Sequence, residues 1–178
     1  MKKVSLLLGA FITLFLISCE GPEGPPGRDG EPGSSGAEFE AAAFEIDVNL
    51  SFNADFNRYE FFEEYPSDIV LIPDDVILMY RLEEVKDGLD VWRQLPQPFF
   101  SDEGLLYYNF DFTQGDYTVL LEPEFDASLV SADLTNNQIF RIVVLPGDLG
   151  TAVDMDESNL NSVMSALGVE ENQVKKIN

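Results

Sequence analysis

The chain has 178 residues with 33 acidic and 10 basic side chains, so its formal net charge is −23 at neutral pH. A charge of this sign repels phosphate backbones and anionic headgroups, which argues against nucleic-acid binding and against adsorption to membranes through side chains. Histidine is absent and Cys19 is the single cysteine. This inventory excludes His-containing catalytic triads, His-ligated metal sites and an intrachain disulfide.

Residues 1–18 have the layout of a secretory signal peptide. Lys2 and Lys3 precede a predominantly apolar run over residues 4–17 that contains no charged side chain. The run is shorter than the about 20 residues that a membrane-spanning helix needs. It therefore predicts a leader that is removed on export.

The end of this leader carries a lipidation motif, formed by Leu16, Ile17, Ser18 and Cys19. These residues resemble the lipobox of bacterial lipoproteins, in which a small residue precedes a cysteine that becomes the lipidated N-terminus. The resemblance implies cleavage before Cys19 and attachment of acyl chains that hold the protein on a membrane permanently. Because Glu20 stands where inner-membrane lipoproteins commonly carry Asp, it further implies the outer membrane, with the periplasmic and cell-surface faces both open. The alternative is an ordinary signal peptide that happens to contain a cysteine.

Residues 19–38 are predicted to be a spacer. From Gly21 to Glu38 glycine opens six consecutive triplets, GPE GPP GRD GEP GSS GAE, which resembles collagen, where only glycine fits at every third position. One interpretation is a trimeric stem. The other, which we favour, is a stiff, solvated leash in polyproline II and coil that carries a monomeric domain up to ~55 Å from the membrane. With its lipobox, triplets and acidic β-rich remainder, the chain resembles the collagen-like-repeat lipoproteins of Gram-negative bacteria.

Residues 39–178 are predicted to form one folded domain. In its first strand Phe44, Ile46, Val48, Leu50 and Phe52 alternate with polar residues, the period of a strand with one buried face. Further strands are expected over residues 59–65, 69–72, 76–85, 89–95, 105–112, 117–122 and 138–145.

Short strands at this spacing predict an all-β fold, an antiparallel β-sandwich of the Ig-like or jelly-roll-like kind, with closure into one continuous sheet as the alternative. Two hairpins are expected, one with Gly88 and one with Gly115 in positive φ. A short C-terminal helix should run from a cap at Asp156 through Leu167 and stop at Gly168.

Catalytic and metal-binding patterns are weak. Nucleophile elbows, Walker loops and Rossmann fingerprints do not occur in the sequence. Acidic clusters at 74–75, 122–126 and 154–157 suggest calcium, but the loop that begins at Asp154 has Asn159 where an EF-hand needs Gly and Ser165 where it needs Glu. We therefore expect neither a cofactor nor catalysis, with a carboxylate-based hydrolase as the remote alternative.

Aromatic residues give the one candidate binding site. Phe99 and Phe100 follow Pro96 and Pro98, so they are expected in a connection outside the strands. Adjacent side chains of an extended segment point to opposite sides, so only one ring is expected to be buried. Trp92 is interpreted as a core residue, with a sugar or peptide platform beside the two phenylalanines as the alternative.

The sequence thus predicts a lipoprotein attached to the outer membrane through Cys19, with a non-catalytic β-sandwich that has a structural or binding role at the cell envelope. Its expected partners are the membrane, through the anchor, and an unidentified envelope or extracellular component. A carbohydrate- or peptide-binding surface module is the principal alternative.

Overall fold

A computed structural model describes residues 43–147 and 155–177. The predicted signal peptide, Cys19 and the spacer lie outside these residues. The described residues form ten strands and one α-helix. The elements are β1 (Ala43–Val48), β2 (Ser51–Asn53), β3 (Arg58–Glu64), β4 (Val76–Lys86), β5 (Leu89–Gln94), β6 (Gln97–Phe100), β7 (Leu105–Phe112), β8 (Asp116–Pro123), β9 (Gln138–Leu145), α1 (Leu160–Leu167) and β10 (Lys175–Ile177).

The strands make two five-stranded sheets. Sheet A has the order β10-β1-β9-β4-β5, and sheet B has the order β2-β3-β8-β7-β6. Every pairing is antiparallel except that of β10 with β1. The predicted β-sandwich with a short C-terminal helix is confirmed.

The core lies between the sheets because the period-two pattern turns one side of each strand inward. Phe44, Ile46 and Val48 project from β1 into this core, and the central strand β9 adds Phe140 and Ile142. Both phenylalanines are fully buried. Burial of a large apolar side chain contributes roughly 1.5–3 kcal/mol, so each of these residues adds substantially to the stability of the domain.

The outer face of sheet A is covered by α1, which explains why β9 is apolar on both sides. Leu160, Val163 and Met164 of the helix pack against Tyr80 and Val143. The helix begins one turn later than predicted: Asn159, not Asp156, is its cap. The side chain of Asp156 instead accepts hydrogen bonds within the preceding turn. Gly168 ends the helix as predicted, with φ of 67°.

The first predicted strand is divided in two. β1 ends at Val48, and β2 begins at Ser51 in the other sheet. The chain crosses between sheets at Leu50, whose N–H donates to the carbonyl of Thr135 at 2.8 Å. The alternation of apolar residues continues through this crossing because Leu50 still faces the core. The sequence pattern therefore does not reveal that the strand ends and a new one begins.

The strand predicted at 69–72 is wrong. This segment is a series of turns in which the N–H of Ile69 donates to the carbonyl of Pro66 and that of Ile72 to the Asp75 carboxylate. Val70 is 79% exposed. Its β-branched composition mimics a strand, but prolines at both ends and the Asp75 acceptor favour turns.

The two predicted hairpins are present. Between β4 and β5, Asp87 and Gly88 both have positive φ, as a two-residue type I′ turn requires. Between β7 and β8 the hydroxyl of Thr113 organises a longer loop by accepting from the N–H groups of Gly115 and Asp116. Among the described glycines only Gly88, Gly104 and Gly168 have positive φ, so the expected positive φ at Gly115 is wrong.

Candidate binding surface

Phe99 and Phe100 lie inside a strand, so their predicted position in a connection is wrong. β6 forms one edge of sheet B and pairs with β7, placing Phe99 opposite Leu106 and Phe100 opposite Leu105. Pro98 is tolerated there because an edge strand needs hydrogen-bond donors on one side only.

The two rings face opposite ways, as the sequence predicts. Phe99 packs against the core between the sheets, whereas the side chain of Phe100 is 77% exposed. Alternation along β6 and β7 puts Pro98 and Phe100 on the outer face of sheet B together with Leu105 and Tyr107. We call these four residues the β6–β7 patch.

A tight turn fixes the position of Phe100. Ser101 and Gly104 exchange backbone hydrogen bonds of 2.9 and 3.3 Å, and the hydroxyl of Ser101 donates to the carbonyl of Gly104. Gly104 has φ of 144°, and a Cβ at this position would come within 3.2 Å of the Phe125 ring. The turn therefore requires glycine and holds the end of β6 in one conformation.

Polar groups border the patch. Glu122 lies opposite Tyr107 on the neighbouring strand β8, and its carboxylate accepts a hydrogen bond of 3.1 Å from the Asn109 side chain. Exposed apolar patches that are bordered by polar residues mark interaction surfaces. The β6–β7 patch offers ring surface for stacking and oxygen acceptors for hydroxyl groups.

Trp92 does not belong to this surface. It is half-buried beside the outer cluster of sheet A, not in the core between the sheets. Cζ of Arg141 lies 4.4 Å from the centroid of its ring. The alternative prediction, in which Trp92 forms one sugar or peptide platform with Phe99 and Phe100, is therefore wrong.

Arg141 is the centre of an ion-pair cluster that sequence reasoning missed. It is 2% exposed, and Nη2 donates to Glu45 and to Glu171 at 2.7 Å, with a second 2.7 Å bond from Nη1 to Glu171. Lys176 adds a 2.9 Å contact to Glu45. Burial raises the pKa of Glu45, but the hydrogen bonds from Arg141 and Lys176 outweigh it and lower the pKa overall. The cluster ties the C-terminal segment to sheet A.

The acidic clusters do not converge on a metal site within the described ranges. No group of three or more Asp and Glu there is arranged to hold an ion. Asp75 and Asp126 instead accept hydrogen bonds from nearby backbone N–H groups. Asp154 lies outside the described residues.

Comparison with known proteins adds no relative: no family model matches the chain, and no curated protein or solved structure is significantly similar to it. Within residues 43–147 and 155–177, no helix has the length and apolar character needed to cross a bilayer. Function is inferred from the residues themselves.

Proposed function

We propose that the protein is a lipoprotein anchored to the outer membrane through Cys19, and that its non-catalytic β-sandwich binds a partner at the cell envelope. What supports the anchor is the sequence alone: a basic start, an apolar run over residues 4–17, and Ser18 directly before the cysteine. The spacer over residues 19–38 serves as a leash for a monomeric domain, with a trimeric stem as the alternative.

The observation that carries the binding role is the exposure of Phe100. A ring that is 77% exposed contributes little to folding, yet the Ser101–Gly104 hydrogen bonds hold its strand end in place. Aromatic side chains concentrate binding energy in few residues, and an ordered backbone lowers the entropy that is lost when a ligand contacts them. A solvated ring on an ordered strand end therefore favours recognition over a packing role.

Neutral carbohydrate is the ligand class that the β6–β7 patch fits best. The apolar face of a sugar can stack on Phe100 or Tyr107, while its hydroxyl groups donate to the carboxylate of Glu122. Anionic polysaccharides are disfavoured by this carboxylate and by the net charge of −23. A peptide that packs against the same rings is the alternative ligand.

The carboxyl groups whose pKa is clearly shifted do not have the shift of a general acid. A general acid among carboxyl groups needs a raised pKa. The described carboxyl groups with a clearly shifted pKa are Glu45, Glu60, Asp68 and Asp126, and in each the pKa is lowered. Burial opposes this direction at each of the four groups, but hydrogen bonds to the charged form prevail.

A glycan array tests the binding role. The purified protein should bind neutral glycans, and Phe100→Ala should weaken that binding by about tenfold or more, the effect of losing a stacked aromatic contact of about 1.4 kcal/mol. Phe62→Ala is the matched control because Phe62 is 60% exposed on β3, at the opposite side of sheet B. Equal losses in both variants would remove the patch as the site, and hydrolysis of a bound glycan would contradict the non-catalytic assignment.

A further inference from the structure

A cleft opens between the two sheets on the side away from β6. Its volume is about 600 Å³, and it lies where β1 and β10 of sheet A face β3 of sheet B. The apolar lining consists of Ile46, Val48, Phe61, Tyr65, Tyr117 and Ile177. A space of this size accommodates several side chains of a ligand.

The strand beside this cleft has an unpaired edge. β2 pairs with β3 only as far as Glu60, and no other described strand continues on that side. The N–H of Tyr65 donates to Gly115 at 3.1 Å, on the β8 side. Because backbone groups alternate along a strand, the peptide groups of Phe62 and Glu64 point the other way, toward the open edge. Such an edge is a template for an added strand.

Tyr65 lines the cleft, and its buried hydroxyl lacks a partner among the described residues. Tyr65 is 9% exposed, and its hydroxyl has no hydrogen bond to any described residue. The centroid of its ring lies 5.3 Å from the centroid of the Tyr117 ring. Burial, with a smaller contribution from the charge of Asp116, raises the pKa of Tyr65. The hydroxyl therefore stays protonated and can donate a hydrogen bond to a bound group.

The rim of the cleft is negatively charged. Asp47, Glu63 and Glu64 line it, and none of the three takes part in an ion pair among the described residues. Lys175 is the one cation among the described residues that line the cleft, and it is held 2.9 Å from Asp68. These carboxylates repel a second copy of this acidic chain and attract a cationic partner.

We propose that this open side of the sandwich binds an extended, lysine- or arginine-rich segment of a partner protein, which adds a strand to β3 beyond Glu60. Apolar side chains at alternate positions of the segment enter the cleft, and the cationic ones, on the outer face of sheet B, contact Glu64, while Glu63 adds negative charge at the rim. A polar group of the segment accepts from the hydroxyl of Tyr65. This surface is separate from the β6–β7 patch and does not depend on the lipid anchor.

The probe is a short fluorescein-labelled peptide in which lysine alternates with valine. Binding to the purified protein produced from the full chain is followed by fluorescence anisotropy, with the labelled peptide alone as the blank. We expect saturable binding and at least about tenfold weaker binding of the same peptide with glutamate in place of lysine. Absence of saturable binding, or equal binding of the two peptides, would overturn the proposal.

Paired variants locate the site. Glu63→Gln combined with Glu64→Gln should weaken binding by about tenfold. Glu84→Gln combined with Asp90→Asn removes the same charge from the exposed β4–β5 hairpin and should leave binding unchanged. Equal losses in the two double variants would mean that net charge alone attracts the peptide, which would overturn the assignment to β3.

Two further measurements separate strand addition from charge attraction. Tyr65→Phe should bind the peptide about threefold to tenfold more weakly without loss of fold stability, because the hydroxyl that it removes has no partner in the described structure. Bound peptide should slow hydrogen exchange at the amides of Phe62 and Glu64. Unchanged exchange at both amides, or protection at β6 instead, would overturn the proposal.

Discussion

Replacing Phe99 and Phe100 separately by alanine tests whether the structure divides the two adjacent rings correctly. Phe99 lies opposite the fully buried Leu106 and packs against the core. A buried phenylalanine changed to alanine costs about 3–5 kcal/mol. Because Phe99 is only partly buried on an edge strand, we expect about 2–4 kcal/mol, the lower part of this range and slightly below it.

Phe100 should behave differently because it is 77% exposed. Its ring is solvated in both the folded and the unfolded chain, so Phe100→Ala should cost about 0.5 kcal/mol, the value of a surface substitution. Urea unfolding of both variants, with unchanged m-values, would give the two free energies. We expect a difference of about 2 kcal/mol or more. Equal large losses, or the larger loss at Phe100, would refute the assignment of Phe99 to the core and of Phe100 to the surface.

Two other predictions concern stability. The pKa of Glu45 is lowered in the folded state, so the ionised carboxylate stabilises the fold. This contribution to the free energy of unfolding is complete above the ordinary glutamate pKa of about 4.3 and is lost as the pH falls through the pKa of Glu45 in the folded protein. Glu45→Gln should therefore flatten the acid side of a stability–pH curve measured by urea unfolding, whereas Glu84→Gln should not; an unchanged curve would contradict the role of the Arg141 cluster. Gly168→Ala should lower the free energy of unfolding by about 1 kcal/mol, because alanine is strained at φ of 67° although no atom obstructs its Cβ. A neutral effect in thermal unfolding would contradict that account of the end of α1.

The fold class could be predicted from the sequence because burial follows the period of two along most strands. β7 and β9 match their predicted bounds, and Gly88 marks the turn between β4 and β5. β6 was missed because Pro96 and Pro98 suppress a local strand signal, and only pairing with β7 makes residues 97–100 extended. The pairing of a strand with a neighbour cannot be predicted from the sequence pattern of that strand alone.

Side-chain clusters were less predictable than strands. Arg141 stands in an apolar run, and its partners Glu45 and Glu171 are 96 and 30 positions away. The unpaired edge of β3 likewise arises from the short pairing with β2. For the β6–β7 patch the sequence indicated that one of Phe99 and Phe100 is exposed but not which one, whereas Leu105 and Tyr107 joined it only through strand pairing.

Metabolic labelling with a fatty acid tests the central claim, attachment through Cys19, most directly. Cells that produce the full chain should incorporate the label into a protein shortened by its leader, which mass spectrometry would place at an N-terminal acylated Cys19. Cys19→Ala keeps the apolar run but removes the only thiol, so this variant should take up no label and keep its leader. Label retained by Cys19→Ala, or an unlabelled wild-type protein cut elsewhere, would contradict the lipoprotein assignment.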